Sequence, residues 1–185
     1  MQHSHALPIC VDLDGTLVKE ETLWILLGNL WRQSLKSFLW VIGVFCFKGR
    51  AAFKKALAER TQLDPKNLSY HKDLLRDLKQ LAKEGKTLIL ATGADLGVAT
   101  SIAQHLGFFK GIIASQGTQN VVGNVKATIL SNTFGKGRFI YAGNSWKDLP
   151  VWECAAHIMV VNASPWLLRV VKKRNTKHKR LKSYT

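Results

Sequence analysis

Two carboxylates near the start of the chain are placed where they could share a cation and a phosphoryl group. Asp12 and Asp14 follow a short apolar run, Pro8 to Val11, which predicts a buried strand. Because strand side chains alternate, both carboxylates point to one side, and at a strand's carboxyl end that side is the ligand crevice of an open α/β sheet. Carboxylates gathered there need a compensating proton or a hard cation such as Mg²⁺. The pattern predicts a phosphoryl-transfer site, with a simple turn at Asp14-Gly15 as the alternative.

Three later segments carry polar groups close to predicted strands. Thr92-Gly93 follows the apolar run 87–91 and precedes a helical pattern, so a hydroxyl and free N–H groups would meet an anion at a helix N-terminus. Lys126 falls on a predicted helix, 125–132, where a lone lysine is more often solvated surface. Asn144 and Asp148 follow the strand predicted at 138–142. Asparagine can ligate a metal through its carbonyl oxygen, but it brings no charge.

The run Asp12-Leu13-Asp14-Gly15-Thr16 resembles the first motif of the haloacid dehalogenase-like (HAD) superfamily, Asp-x-Asp-Gly-Thr. The resemblance implies that Asp12 is a nucleophile and that Asp14 is the general acid and base. It also implies phosphoryl binding by Thr92, Gly93 and Lys126. Mg²⁺ would be held by Asp12, the backbone carbonyl of Asp14, and the loop that carries Asn144 and Asp148. Many HAD phosphatases have aspartate where Asn144 stands, so the resemblance implies weaker metal binding here.

Residues 8–168 also look similar to the HAD-like domain that precedes some bacterial polyprenyl transferases of the 4-hydroxybenzoate type. Asparagine at the position of Asn144 is usual in that branch. This similarity implies a partner role beside a prenyltransferase as one alternative. A stand-alone relative and a remnant of a fused gene are both compatible with it. The segments that carry it are 11–17, 91–92, 141–145, 148–152 and 161–165.

Strands and helices alternate after residue 70, which predicts an α/β fold: a Rossmann-like, mainly parallel sheet with helices on both faces. The core would comprise 1–18 and 71–171, with a helical cap inserted at 19–70 after the first strand. Within the cap we expect helices at 21–31, 35–47 and 51–60, the last exposing Lys54, Lys55 and Arg60. The stretch 172–185 reads as a basic, disordered tail.

The cap insert is rich in tryptophan and contains an apolar run, 38–47, that is too short to cross a bilayer. Such a segment suits an apolar substrate or a membrane surface, and we expect a phosphate on a lipid- or prenyl-linked carrier. The alternative is that the segment forms the cap's own core and its packing onto the sheet. Peripheral contact with the inner face of a membrane would then use the cap and the basic tail. A non-enzymatic role in binding a phosphoryl ligand is the second functional class. Asn144 favours that class, whereas the pair Asp12 and Asp14 argues against it.

The chain has 185 residues and a formal net charge of +15, which favours anionic partners: phosphorylated substrates, a cytoplasmic leaflet or nucleic acid. Seven Lys or Arg residues lie between Lys172 and Lys182. Only Tyr184 could stack on a base nearby, so nucleic acid is the least favoured partner. The three cysteines form no CxxC pair, which indicates neither zinc nor a disulfide framework and favours the cytoplasm.

Overall fold

A computed structural model describes residues 6–174 and 181–184. Six parallel strands form one sheet in the order β3-β2-β1-β4-β5-β6. The predicted α/β class with a parallel sheet is confirmed. The strands are β1 (Ile9–Val11), β2 (Leu88–Asp95), β3 (Gly111–Ser115), β4 (Ile140–Gly143), β5 (His157–Val161) and β6 (Leu181–Tyr184).

Helices cover both faces of this sheet, as predicted. The helices α1 to α4 share one hydrophobic cluster with one face, and α5 to α7 share a second cluster with the other. Among the residues that the structure describes, no helix has the length and apolar character needed to cross a membrane. The helices are α1 (Thr22–Gln33), α2 (Leu35–Arg60), α3 (Lys72–Lys83), α4 (Leu96–Leu106), α5 (Asn124–Phe134), α6 (Leu149–Cys154) and α7 (Pro165–Arg174), with short 3-10 turns at Pro65–Asn67 and Trp146–Asp148.

The sheet order places the ends of β1, β2 and β4 side by side. β1 pairs with β2 on one side and with β4 on the other, so the direction of strand addition reverses at β1. The N–H of Asp12 donates to the carbonyl of Ala142 at 2.9 Å, which extends this pairing one residue past β1. Such a reversal opens a crevice at the carboxyl ends of the strands. Residues that follow β1, β2 and β4 therefore meet there.

The two cap helices predicted at 35–47 and 51–60 are present as two helical parts of one segment, α2. The helix α2 runs from Leu35 to Arg60, but Gly49 breaks it with a φ of +76° and a ψ of −177°. Glycine tolerates this backbone conformation because it has no Cβ. The two parts of α2 therefore point in different directions, and Lys54 belongs to the second part.

The end of the chain differs from the predicted disordered tail. The helix α7 continues through Arg174, and residues 181–184 form β6, which pairs in parallel with β5. Both the Lys182 ammonium and the Tyr184 hydroxyl donate to Oδ2 of Asp77 on α3. The tail prediction is therefore wrong for 172–174 and 181–184, because it counted charge and overlooked these partners. Residues 175–180 lie outside the described residues.

Candidate active site

A cavity of about 140 Å³ lies at the carboxyl ends of β1, β2 and β4, beneath the cap helices. Its lining comes from both the core and the cap insert, and it mixes carboxylates with lysines. Thr92 does not line it. The predicted site residues that do are Asp12, Asp14, Gly93, Lys126, Asn144 and Asp148.

Asp12 and Lys126 form a buried ion pair in this cavity. Lys126 lies in the first turn of α5 and is 3% exposed, so the surface alternative for this lysine is wrong. Its Nζ lies 2.7 Å from Oδ1 of Asp12, which is 8% exposed. Burial raises the pKa of Asp12 to about 7, although Lys126 acts in the opposite direction. A further positive charge in the cavity would favour the ionised form.

A hydrogen-bonded chain connects this pair to the loop after β4. Lys126 also donates to the hydroxyl of Tyr141 at 2.9 Å, and that hydroxyl donates to Oδ1 of Asp148 at 2.7 Å. The other oxygen of Asp148 accepts from the backbone N–H groups of Asn144 and Ser145 and from the Ser145 hydroxyl. Both oxygens of Asp148 are therefore occupied in holding the loop. The sequence gives no sign of this role for Tyr141, which sits inside an apolar strand and looks like a core residue.

The cap orients the second carboxylate of the first motif. Oδ1 of Asp14 accepts from both the N–H and the hydroxyl of Thr22, each at 2.7 Å. Thr22 is the first residue of α1 and is buried. The start of the cap helix therefore fixes one oxygen of Asp14. Thr22 was not singled out from the sequence, because its partner depends on how α1 packs over β1.

The environment of Thr92 differs from the prediction. β2 continues to Asp95, and α4 begins only at Leu96, with the Asp95 side chain accepting from the N–H of Gly97 at 2.8 Å. Thr92 is buried within β2, and its hydroxyl accepts from the N–H of Ala94 at 3.0 Å. Of the two caps that the sequence allows for this helix, Gly93 and Asp95, the structure has Asp95, so the helix N-terminus does not lie at Thr92-Gly93. The turn closed by the hydrogen bond from the Ala94 N–H to the Thr92 hydroxyl, and a shift in the β2–β3 register between Ala91 and Asp95, separate these residues from the helix.

Gly93 occupies a position where a side chain has no room. A Cβ there would lie 2.6 Å from Cγ2 of Val122. The strand end and the loop before α5 can thus approach each other only because residue 93 is glycine. Its backbone lines the cavity.

Lys54 enters the cavity, contrary to the exposed position predicted for it. Its Nζ donates to the carbonyl of Gly93 and to Oδ1 of Asn120, the latter at 2.9 Å. Asn120 belongs to the loop between β3 and α5. The sequence could not predict this position, because both partners of Lys54 are distant in the chain. A cation from the cap therefore joins the cap to the end of β2 and to the loop before α5.

Oxygen donors around Asp12 fit a hard cation. No group of three His, Cys, Asp or Glu side chains forms a metal cluster within 6–174 and 181–184. Asp12, Asp14 and Asn144 all line the cavity, and their carboxylate, carbonyl and amide oxygens are of the donor type that Mg²⁺ prefers. Gly15, with a φ of +72°, lets Asn144 approach, because a Cβ there would lie 2.1 Å from its Nδ2.

One known protein of no stated function resembles most of this chain in sequence. No protein-family model matches the chain. The uncharacterized protein y4nM of Sinorhizobium fredii is 38% identical over 155 residues, which are 84% of this chain but 30% of that protein. The chain thus spans about a third of the length of this relative.

Many solved structures resemble this one, among them three with TM-scores between 0.59 and 0.67. A protein of unknown function from Bordetella pertussis has a TM-score of 0.67 at 14% identity, covering 97% of this chain and 99% of that one. The HAD family hydrolase t0658 of Salmonella enterica has a TM-score of 0.62 at 14% identity, with coverages of 94% and 68%. A substrate-bound phosphoserine phosphatase has a TM-score of 0.59 at 16% identity, with coverages of 95% and 92%.

These likenesses show the fold: the chain has the fold of HAD-family hydrolases. The expectation drawn from the first motif is confirmed at that level. Similarity to the domain beside polyprenyl transferases stays a prediction. Because one fold serves many functions, activity has to be argued from the site.

Proposed function

We propose that the protein is a HAD-type phosphohydrolase that acts on phosphomonoesters through an aspartyl-phosphate at Asp12. The buried Asp12–Lys126 pair at 2.7 Å supports this most directly. A buried carboxylate is retained at a cavity floor only where its charge is used or compensated. Asp14, two residues on and held by Thr22, supplies the acid and base that a two-step transfer needs.

In the first proposed step, an oxygen of Asp12 attacks phosphorus, the bond to the leaving oxygen breaks, and Asp14 donates a proton to that oxygen. In the second, Asp14 takes a proton from water as the water attacks phosphorus. The bond to Asp12 then breaks and inorganic phosphate leaves. Lys126 and the N–H of Gly93 bind the phosphoryl oxygens. Thr92 precedes Gly93 in β2 and is buried outside the cavity lining.

Metal binding is part of the proposal. Mg²⁺, when bound by Asp12, Asn144 and the carbonyl of Asp14, supplies positive charge that offsets the phosphoryl oxygens. Asp148 acts by fixing the loop through the N–H groups of Asn144 and Ser145.

For the substrate, we propose a phosphate carried on a lipid- or prenyl-linked group. On the cap side, Leu23 and Leu26 of α1 form an apolar wall beside the polar Glu21, Thr22 and Lys54, and the core adds Val98 and Val122 to the lining. This wall suits an apolar leaving group. Such a substrate would bring the protein into peripheral contact with the cytoplasmic face of a membrane.

The test is phosphate release from an aryl phosphate, with and without Mg²⁺, by the wild type, Asp12→Asn and the control Asp73→Asn. Asp73 is an exposed carboxylate on α3. We expect Mg²⁺-dependent release that Asp12→Asn abolishes and Asp73→Asn retains. Metal-dependent release by pure, folded Asp12→Asn protein would contradict the assignment.

A second candidate is a domain that binds a phosphoryl ligand, or a prenyltransferase, without turnover. Asn144 favours it, because a neutral ligand replaces a charge, and both oxygens of Asp148 are already occupied. Calorimetric binding of inorganic phosphate by protein that releases none from aryl or prenyl phosphates would support this role. Gain of turnover in Asn144→Asp would then identify the missing charge as the cause.

A further inference from the structure

Large apolar side chains lie exposed on α1 and on the first part of α2. We call this surface the cap apolar face. Phe47 is 90% exposed, Trp24 68% and Leu39 60%. Soluble monomers rarely expose so extended an apolar patch without a use for it. Its members are Trp24, Trp31, Leu35, Leu39, Trp40, Ile42, Phe45 and Phe47.

The exposed residues on α2 form one continuous stripe. At 100° per residue, the exposed positions from Leu35 to Phe47, including Phe45, cover an arc of about 220°, and the buried Val41 lies outside this arc. Lys36 is the charged residue within this arc. On α1, Trp24 and Trp31 are seven residues apart and share a face. Trp31 packs edge-on against Phe38 at 4.9 Å, which joins the stripes of the two helices.

The charge around this face has one sign. Residues 22–58 contain no Asp or Glu, but they contain six Lys or Arg residues. Arg32 and Lys36 are exposed where α1 turns into α2. The guanidinium of Arg60 lies 3.6 Å from the ring centre of Trp40, so a cation also sits at the other edge of the face. Apolar helices flanked by cations are typical of segments that lie in an anionic membrane interface.

We propose that the cap apolar face inserts into the interfacial region of an anionic lipid bilayer. A second copy of the chain fits less well, because it would set one cationic cap against another in a protein of net charge +15. A bilayer supplies both the apolar layer and the opposite charge. The contact is assigned to the cap because the exposed apolar side chains of α1 and α2 lie there.

Membrane contact here would bring the cavity close to the lipid surface. Leu23 and Leu26 of α1 line the cavity, while Trp24 between them is exposed on the cap apolar face. The same helix turn thus serves both surfaces. The inference deepens the proposed lipid-linked substrate, but the docking itself depends on the face alone and can be tested without turnover.

The experiment is flotation of the full chain with vesicles of phosphatidylcholine alone and with vesicles that also contain phosphatidylglycerol. The variant is Leu39→Glu/Phe47→Glu, two exposed positions outside the cavity lining. The matched control is Trp166→Glu, because Trp166 is 66% exposed but lies on α7, on the other side of the sheet. Far-ultraviolet circular dichroism and sedimentation velocity verify fold and oligomeric state, and aryl phosphate hydrolysis without vesicles is measured in parallel.

We expect the wild type and Trp166→Glu to float with the anionic vesicles, and less with the neutral ones. Leu39→Glu/Phe47→Glu should partition about tenfold or more weakly, since two charges replace apolar contacts. Failure of the wild type to float, or equal loss in Trp166→Glu, would overturn the inference. So would a wild-type dimer that Leu39→Glu/Phe47→Glu converts to monomer, because the face would then pair two copies. Absent hydrolysis with normal flotation would count against the proposed function alone.

Discussion

The hydroxyl of Tyr141 separates a lysine from a carboxylate that would otherwise attract it. Lys126 Nζ lies 2.7 Å from Asp12 but 3.9 Å from Oδ1 of Asp148, with the Tyr141 hydroxyl bonded to both Lys126 and Asp148. Burial and the neighbouring carboxylates raise the pKa of Tyr141 well above its usual value, so it stays neutral and donates. One lysine can therefore serve the nucleophile while Asp148 remains satisfied.

Tyr141→Phe should lower turnover by about tenfold, because Asp148 loses a donor and draws Lys126 away from Asp12. Inorganic phosphate should also inhibit the variant more weakly. Steady-state kinetics with phosphate as inhibitor measures both effects. Tyr184→Phe is the matched control, since it removes a hydroxyl bonded to Asp77 outside the site. Wild-type rates in Tyr141→Phe would show that the hydroxyl does not position Lys126.

Asn144→Asp should lower the Mg²⁺ concentration that gives half-maximal activity by about tenfold, because a charged ligand replaces a neutral one of the same shape. Metal titration of phosphate release measures the change. An unchanged half-maximal concentration would place Asn144 outside the metal's ligands.

At the scale of elements, the cap and core are joined by side chains that reach across the cavity. Thr22 from α1 holds Asp14, and Lys54 from α2 holds the Gly93 carbonyl and the Asn120 amide. The cap therefore contributes to the site itself as well as covering it.

Lys54→Met should raise KM several-fold while kcat changes by less than about twofold, since the lysine fixes the cap and the loop rather than the reacting atoms. Lys55→Met is the neighbouring control, because Lys55 is exposed and faces Glu59. A kcat that falls as much as kcat/KM would assign Lys54 to the transition state instead.

Sequence patterns predicted most elements because their signals are local. The apolar run before Asp12 and the apolar run 87–91 could be recognised without knowledge of distant partners. Tyr141, Thr22 and Lys54 were missed as site residues because each acts through a partner that only tertiary packing brings near. The extension of β2 past Ala91 was missed for a similar reason: the Thr92 hydroxyl and the pairing of Asp95 with Ser115 are not visible in composition.

At the scale of the whole molecule, the hydrogen bonds from Lys182 and Tyr184 of β6 to Asp77 connect this strand to α3. A hydrogen bond from Lys182 lowers the pKa of Asp77, and the same bond raises the pKa of Lys182. The depressed Asp77 pKa stabilises the fold above the unfolded Asp pKa of about 4. The raised Lys182 pKa stabilises it below the unfolded Lys pKa of about 10.

Asp77→Asn should therefore lower the free energy of unfolding by up to about 1 kcal/mol near neutral pH, because the pair is largely exposed. The difference in unfolding free energy between the wild type and Asp77→Asn should vanish as pH falls through the folded pKa of Asp77. It should also vanish as pH rises through the folded pKa of Lys182. Urea unfolding across pH measures it, with Asp73→Asn as the exposed control. A constant difference at all pH values would exclude the ion pair as its source.

Cys46 provides a natural labelling site on the cap apolar face. Cys46 is exposed on the same arc of α2, whereas Cys10 is buried, with its pKa raised to about 12 by that burial, and Cys154 is half-buried. A thiol-directed fluorophore or spin label should therefore attach at Cys46 in the native protein without any substitution. The emission of the fluorophore, or the accessibility of the spin label to oxygen, would then report whether the surface around Cys46 is in contact with water or with lipid.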